Sequence, residues 1–327
     1  MNSTQQLEAA AHAKVNVFLS IGPARDDGYH ELTSVFQSLD ISDRVRIREV
    51  DPAQDEADAT TTSRVTDLSV AGPTADGVPA DSSNLVWKAI DAVVDRLSAL
   101  HGVQENLPAV ELEIFKEIPT AGGMAGGSAD AAAALRLADA FYAPHFGSSG
   151  LGEQELHSLA IGLGSDVPFT LLGGTALGTG RGENLTPMLS RGQFHWAIIL
   201  SPEGLSTPAV FKKLDELRAA GKAQGTEADT SAVSQALISG DARQLAKVLH
   251  NDMQPAALSL RPQLRTVLDA GVAAGALAGM VSGSGPTCAF LCPDADTAQE
   301  VVDDVHFDLP KYRGVTCTGP APGARLI

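Results

Sequence analysis

The sequence is poor in residues that carry covalent or metal chemistry. It holds three cysteines, Cys288, Cys292 and Cys317, an odd number with no CxxC pair. That pattern argues against a disulfide framework and against a zinc site, and for buried or idle thiols in a reducing compartment. The eight histidines form no HExxH or similar pair. Positive charge is scarce too: 23 lysines and arginines face 40 aspartates and glutamates, a formal net charge of -17. So acidic a chain repels a polyanion, and no nucleic-acid partner is expected. A small anion remains open to it, because backbone amides hold one locally whatever the global charge. Aromatics are 5% of residues against 44% apolar, so the core should be aliphatic and rich in alanine. No stretch approaches the ~18 apolar residues of a membrane span. The opening MNSTQQLEAA has neither a basic start nor an apolar run, so no signal peptide and no membrane partner are expected, and the protein is expected to be soluble and cytoplasmic. A length of 327 residues predicts one large or two ordinary domains.

What the chain does contain is a clear alternation of patterns and no internal repeat. AHAKVNVFLSI, 11 to 21, alternates as a strand, with Ala13, Val15, Val17 and Leu19 on one face and Lys14, Asn16, Phe18 and Ser20 on the other. GPARDDGYHEL, 22 to 32, reads as a turn. SDRVRIREV, 42 to 50, alternates again. Residues 51 to 81 carry seven acidic residues against the single base Arg64, and read as an acidic, partly mobile excursion interrupted by a short strand near Val65 to Val70. Val86, Ile90, Val93, Val94 and Leu97 recur at helical spacing behind Ser83 or Asn84 as cap. A strand is expected at 109 to 116, and helices at 128 to 142, 153 to 162, 232 to 239, 241 to 250 and 261 to 274. A further strand is expected at 196 to 200, a surface connection at 219 to 231, and a strand, glycine turn and strand at 280 to 291.

The segment PTAGGMAGGSADAAAAL, 119 to 135, is the most informative. A strand, a glycine-rich turn and a helix start together make an anion site. Glycine removes the Cβ that blocks close approach, several amides can converge, and the helix dipole favours negative charge. The alternative is that Gly122, Gly123, Gly126 and Gly127 only permit a tight turn and close packing. The segment is not the P-loop GxxxxGK[ST], because Ser128 stands where the lysine should be, and it does not fit GxGxxG. A phosphate loop without its own lysine takes positive charge from elsewhere, usually Mg²⁺ and a distant lysine or arginine.

Pro119 to Ala129, namely Pro119, Thr120, Ala121, Gly122, Gly123, Met124, Ala125, Gly126, Gly127, Ser128 and Ala129, resembles the second motif of the galactokinase, homoserine kinase, mevalonate kinase and phosphomevalonate kinase superfamily. Ala13-Lys14-Val15-Asn16 is similar to its N-terminal motif, and Ser282 to Thr287, SGSGPT, to its C-terminal glycine turn. The three stand in the family's order and span nearly the whole chain. DGYHEL at 27 to 32, LGSDVPF at 163 to 169 and STPAVF at 206 to 211 are similar to the 4-diphosphocytidyl-2-C-methyl-D-erythritol kinase family within it. That resemblance implies ATP-dependent phosphorylation of the substrate's 2-hydroxyl, a step towards isoprenoid precursors by the non-mevalonate route. It implies an α+β, two-domain small-molecule kinase fold, with a ribosomal-protein-S5-like N-terminal domain and a ferredoxin-like C-terminal domain. The expected division is 1–190 and 191–327, with the active site in the cleft between them.

The resemblance also assigns roles, each with a plainer rival. Asp166 matches the catalytic base, though Gly-Ser-Asp before Val-Pro is also good turn or cap chemistry. Lys14 matches the catalytic lysine, orienting the hydroxyl and offsetting charge on the transferring group; an exposed strand lysine is the rival. Period-two geometry puts Asn16 on the same face, and both suit a site floor. Tyr29 and His30 match positions at the cytosine end, with Phe211 as the other half of an aromatic clamp and Thr207 nearby; ordinary core is the rival for Phe211. Asn84 and Lys116 match positions near adenine, and Asn84 serves equally as a helix cap. Gly283, Ser284 and Gly285 close the site from the C-terminal half, or simply form a tight turn. ATP implies Mg²⁺, for which Ser128 is the best-placed oxygen, with no carboxylate pair standing out beside it. Two other readings are a homoserine- or mevalonate-type kinase, against which GYHE beside AKVN argues, and a non-catalytic ATP- or metabolite-binding regulator, expected to have lost Lys14 or Asp166.

Overall fold

A computed structural model of the chain describes residues 5–24, 30–50, 63–104, 106–120 and 122–327. Two long antiparallel strands, β1 (Gln6–Ala24) and β2 (His30–Glu49), form the spine. β3 (Val65–Ala71) leads through α1 (Leu85–His101) to β4 (Val110–Phe115), which runs parallel to β3 and antiparallel to β2. Asn84 caps α1, its Oδ1 accepting the Val86 amide at 2.9 Å. Then come α2 (Gly126–Tyr142), α3 (Gly152–Leu163) and the short α4 (Val167–Leu172). The hairpin β5 (Thr175–Gly180) and β6 (Asn184–Pro187) adds to the first half of β2. The core under this sheet is aliphatic and alanine-rich, as the composition predicts: Ala131 to Ala134 on α2 and Ala9, Ala11 and Ala13 on β1 are all fully buried. Small side chains let helix and sheet approach closely.

The chain changes sheet between Pro187 and Phe194. β7 (Phe194–Leu200) begins the second sheet, followed by α5 (Thr207–Ala219), α6 (Ser231–Ser239), α7 (Ala242–Ala246), β8 (His250–Asn251), α8 (Gln254–Leu260) and α9 (Gln263–Ala273). β9 (Ala278–Val281), β10 (Cys288–Cys292), α10 (Ala295–Asp308), β11 (Arg313–Gly319) and β12 (Arg325–Leu326) complete the chain. The second sheet has the order β11-β7-β10-β9 and is antiparallel throughout. Alternation on β7 gives it two buried faces. Phe194, Trp196 and Ile198 join the core of the first sheet, and Ala197 and Ile199 the core under α9 and α10. Trp196 Nε1 donates to Gln37 Oε1 of β2 at 3.1 Å, tying the sheets together. β8 and β12 return to the first sheet and pair with β1. No helix among the described residues is long and apolar enough to cross a membrane.

Several local expectations need correction. The stretch read as a turn to residue 32 is strand from His30 on, and His30 is buried. β1 does not alternate to its end: the register slips between Asn16 and Phe18. Val17 is the extra residue of a β-bulge, so Lys14 and Asn16 keep one face while Phe18 and Ser20 leave it and Leu19 and Ile21 join it. The helix expected at 241–250 ends at Ala246, and α8 was not anticipated. α2 begins two residues before Ser128.

Candidate active site

Lys14 and Asn16 stand side by side, as the two-residue period requires. The Lys14 ammonium donates to Asn16 Oδ1 at 2.8 Å, and Asn16 Nδ2 donates to Ser34 Oγ at 2.8 Å, which in turn donates to the Phe18 carbonyl at 3.0 Å. This buried chain orients both side chains, and the Phe36 ring lies 5.7 Å from the ammonium. Asp166 arrives from α4. It sits at the cap position of that helix, yet its carboxylate accepts no capping hydrogen bond. Instead Oδ2 lies 3.6 Å from Lys14 Nζ, with a third of the Asp166 side chain open to solvent. The plainer reading of Asp166 as a helix cap therefore has no hydrogen bond behind it.

The glycine loop and the C-terminal turn meet over this pair. The Lys14 amide donates to the Met124 carbonyl at 3.2 Å, fastening the loop to β1. Gly123 has φ 70°, and a Cβ there would stand 2.8 Å from the Ser282 carbonyl oxygen. Only glycine lets the loop lie so close to the turn. On the other side a Cβ at Gly127 would meet nothing within 4 Å. Gly122 and Gly123 thus serve close approach to the C-terminal turn, Gly126 packs on Ile118 and Lys116, and Gly127 alone of the four opens on space. α2 has no side-chain cap and no acidic residue in its first turn, so its leading amides and dipole are left for an anion. A Cβ on Gly283 would lie 3.4 Å from Asn16 Oδ1 and 3.8 Å from Lys14 Nζ. Two supports of this turn escaped the sequence reading. Asn251 Nδ2 donates to both the Val281 and Gly283 carbonyls at 2.7 Å, and Gln254 Oε1 accepts the Val281 amide at 2.8 Å.

A cavity of about 480 Å³ opens on the loop. Asn84, Pro119, Thr120, the stretch Gly122 to Gly127 and Asp166 line it, with Lys116 in its wall. Asn84 is held there by its cap and by donation from Nδ2 to the Pro79 carbonyl at 2.6 Å. Ser128 is half-buried just beyond this lining, and Ala129 is turned into the core. Lys116 is only 1% exposed, its ammonium shared between Asp43 and Asp130. Burial works against that ammonium, but Asp130 and Asp43 outweigh it and raise the Lys116 pKa. Burial first, and Asp43 second, push the Asp130 carboxyl well above the usual carboxylate range.

A second cavity, of about 670 Å³, lies against the first: Ser165 lines this one and Asp166 the other. His30 and Phe211 form part of its wall, their rings stacked at 5.0 Å and 24°. His30 Nε2 is 2.9 Å from Asp215 Oδ1. Thr207, at the start of α5, shares a 2.8 Å hydroxyl hydrogen bond with Ser284 of the C-terminal turn, so that turn touches both sides of the site. The structure therefore puts Asp166 in the wall of the first cavity and His30, Thr207 and Phe211 in that of the second, with Lys14, Asn16 and the 283–285 turn joined to them through the contacts above. Tyr29 and Ala121 lie outside the described residues.

The GHMP kinases N terminal domain matches residues 84–174, and the GHMP kinases C terminal description matches residues 233–311. A 4-diphosphocytidyl-2-C-methyl-D-erythritol kinase of Corynebacterium diphtheriae is 51% identical over 323 residues, covering 98% of this chain and 97% of its own length. The chain belongs to the 4-diphosphocytidyl-2-C-methyl-D-erythritol kinase family. The relative from Nocardia farcinica is 53% identical over 317 residues, covering 97% of this chain and 95% of its own. A crystal structure of a 4-(cytidine 5'-diphospho)-2C-methyl-D-erythritol kinase superposes with a TM-score of 0.71 at 27% identity, covering 96% of this chain and 100% of its own. An L. major mevalonate kinase, solved with R-mevalonate, has the same TM-score of 0.71 at 15% identity, over 98% and 97% of the two chains, and shares the fold alone. The α+β, two-domain kinase fold expected from the motifs is the one found. As a member of this kinase family the protein is an enzyme, and the homoserine- and mevalonate-type readings are not favoured.

Proposed function

We propose that the protein transfers the γ-phosphoryl group of ATP to the 2-hydroxyl of 4-diphosphocytidyl-2-C-methyl-D-erythritol, giving the 2-phosphate and ADP on the non-mevalonate route to isoprenoid precursors. The observation that carries this reading is the Lys14–Asp166 pair at the junction of two cavities, one under the glycine loop and one beside the His30–Phe211 stack. The loop side takes ATP, with Asn84, Lys116 and Pro119 to Ala129 as its residues. The other side takes the cytidyl compound, with Asn16, Tyr29, His30, Thr207 and Phe211. The turn of Gly283, Ser284 and Gly285 closes both. The domains are taken as 1–190 and 191–327, a division supported by the change of sheet between Pro187 and Phe194.

The chemistry follows from the geometry. The 2-hydroxyl oxygen attacks the γ-phosphorus in line, the bond to the bridging oxygen of ADP breaks, and the hydroxyl proton passes to Asp166. A loose phosphoryl-transfer transition state leaves the nucleophile protonated until late, so a weak base in the correct place suffices. Lys14, fixed by Asn16, orients the hydroxyl and offsets charge on the equatorial oxygens. Among the described residues no cluster of three or more His, Cys, Asp or Glu could cage a metal. A Mg²⁺ would be held chiefly by the ATP phosphates, with the Ser128 hydroxyl, just beyond the cavity lining, as the chain's candidate oxygen. When bound, Mg²⁺ neutralises charge on the phosphate oxygens.

Phosphorus NMR of the product from the cytidyl compound tests the reaction. The reading expects one new phosphomonoester, coupled to the carbon skeleton at C2, with the cytidyl diphosphate intact. A monoester at another carbon, or cleavage of the diphosphate, contradicts it.

A further inference from the structure

The cavity wall contains one cluster to which the chemical step above gives no part. Lys116 lies at the end of β4 with its ammonium directly beneath the glycine loop: a Cβ on Gly126 would stand 3.3 Å from Nζ. The ammonium donates to Asp130 Oδ2 at 2.6 Å and to Asp43 Oδ2. The three side chains are 1%, 2% and 0% exposed for Lys116, Asp130 and Asp43. They come from three different elements. Asp43 follows a register shift in β2 and also accepts the Glu117 and Ile118 amides at 2.6 and 2.8 Å, so it grips the chain just before Pro119. Asp130 stands in the first turns of α2, just after the loop ends.

We propose that Lys116 is a positioning residue for the nucleotide's phosphates: by bridging Asp43 and Asp130 it clamps the glycine loop at its entrance and its exit, and it makes no contact with the base. The proposal rests on the reading of the loop as the ATP site. A surface lysine reaching for adenine needs a free ammonium, and this one is spent on two buried carboxylates. A loop of glycines has no side chains of its own to fix its course, so its shape depends on how its two ends are held. Amides aimed at phosphate lose their value if the loop drifts by an ångström. The charge is consistent with this role. Burial first, and Asp43 second, raise the Asp130 carboxyl well above the usual carboxylate range, which weakens the negative charge the cluster sets under the phosphates.

Lys116→Met leaves two buried carboxylates without a cation and invites misfolding. The double variant Lys116→Met with Asp130→Asn removes one of them, and Asp130→Asn alone keeps the Lys116–Asp43 pair and folds in either case. Binding of ATP and of inorganic triphosphate, each with Mg²⁺, is measured by displacement of a fluorescent ATP analogue. The expected result is a loss of about tenfold in the double variant and about threefold in Asp130→Asn, in equal proportion for both ligands, with the KM of the acceptor unchanged. A loss confined to ATP makes Lys116 a base contact and overturns the proposal. Unchanged affinities with a lowered melting temperature make the cluster merely structural and overturn it equally. Wild-type binding without turnover of the cytidyl compound would count against the proposed reaction and leave the clamp standing.

Discussion

The Asp166 carboxylate holds the cap position of α4 without capping it and faces the Lys14 ammonium at 3.6 Å. A group that accepts no hydrogen bond from its own helix contributes little to that helix, so its removal should be felt in chemistry and not in stability. Asp166→Asn is expected to lower kcat by about a thousandfold, with ATP affinity and melting temperature close to wild type. Lys14→Met should act alike on kcat. Equal losses in kcat, ATP affinity and melting temperature would mark the pair as structural.

The glycine loop predicts two substitutions of opposite sign. Ala125, the residue before α2, has φ 62° and is the one non-glycine among the described residues with positive φ. Ala125→Gly relieves that strain and should stabilise the protein by about 0.5–1 kcal/mol. Gly123→Ala meets both a positive φ and the Ser282 carbonyl at 2.8 Å, and should abolish nucleotide binding while lowering the melting temperature. Thermal melts with and without ATP check both.

Asn251 is expected to matter beyond its place in the two-residue strand β8. Asn251→Ala leaves the Val281 and Gly283 carbonyls without their donor and should cost about 2–4 kcal/mol. Because Gly283 lies over Lys14 and Asn16, kcat should fall as well. Asn251→Asp keeps the acceptor for the Met253 amide but not the donor, so it should not rescue. A rescue by Asp in denaturant titrations would show that the turn does not depend on that donor.

The three cysteines are free and buried. Burial pushes the Cys288 and Cys292 thiols up to about 12 and raises Cys317 as well. A thiol so far from ionisation is inert. Ellman's reagent at pH 8 should find no reactive thiol in the native protein and three after denaturation. A fast-reacting native thiol would contradict this burial.

The sequence was most readable where function and local pattern coincide. The glycine loop, Lys14 beside Asn16, and the strand of Val110, Leu112 and Ile114 need only neighbours within a few residues. It was least readable where polar residues are buried by distant partners. Residues 30 to 41 show no two-sided pattern because Ser34, Gln37 and Ser38 are all buried and hydrogen-bond to distant partners: Ser34 to Asn16, Gln37 through Oε1 to Trp196, and Ser38 to the Gly174 and Ala321 carbonyls. Phe18 changed face because a bulge at Val17 shifts the period by one, which alternation alone does not reveal. Asp43 and Asn251 looked like ordinary strand and loop residues, and their partners lie in the segments before Pro119 and around Ser282. His30 sits among turn-forming residues, yet packs on Phe211 from a helix in the other half of the chain.

The most direct test of the account is ADP release from ATP and Mg²⁺, with 4-diphosphocytidyl-2-C-methyl-D-erythritol, homoserine, mevalonate and galactose offered side by side. The account predicts turnover with the cytidyl compound alone, lost in Asp166→Asn. Turnover with homoserine, mevalonate or galactose and none with the cytidyl compound would contradict it.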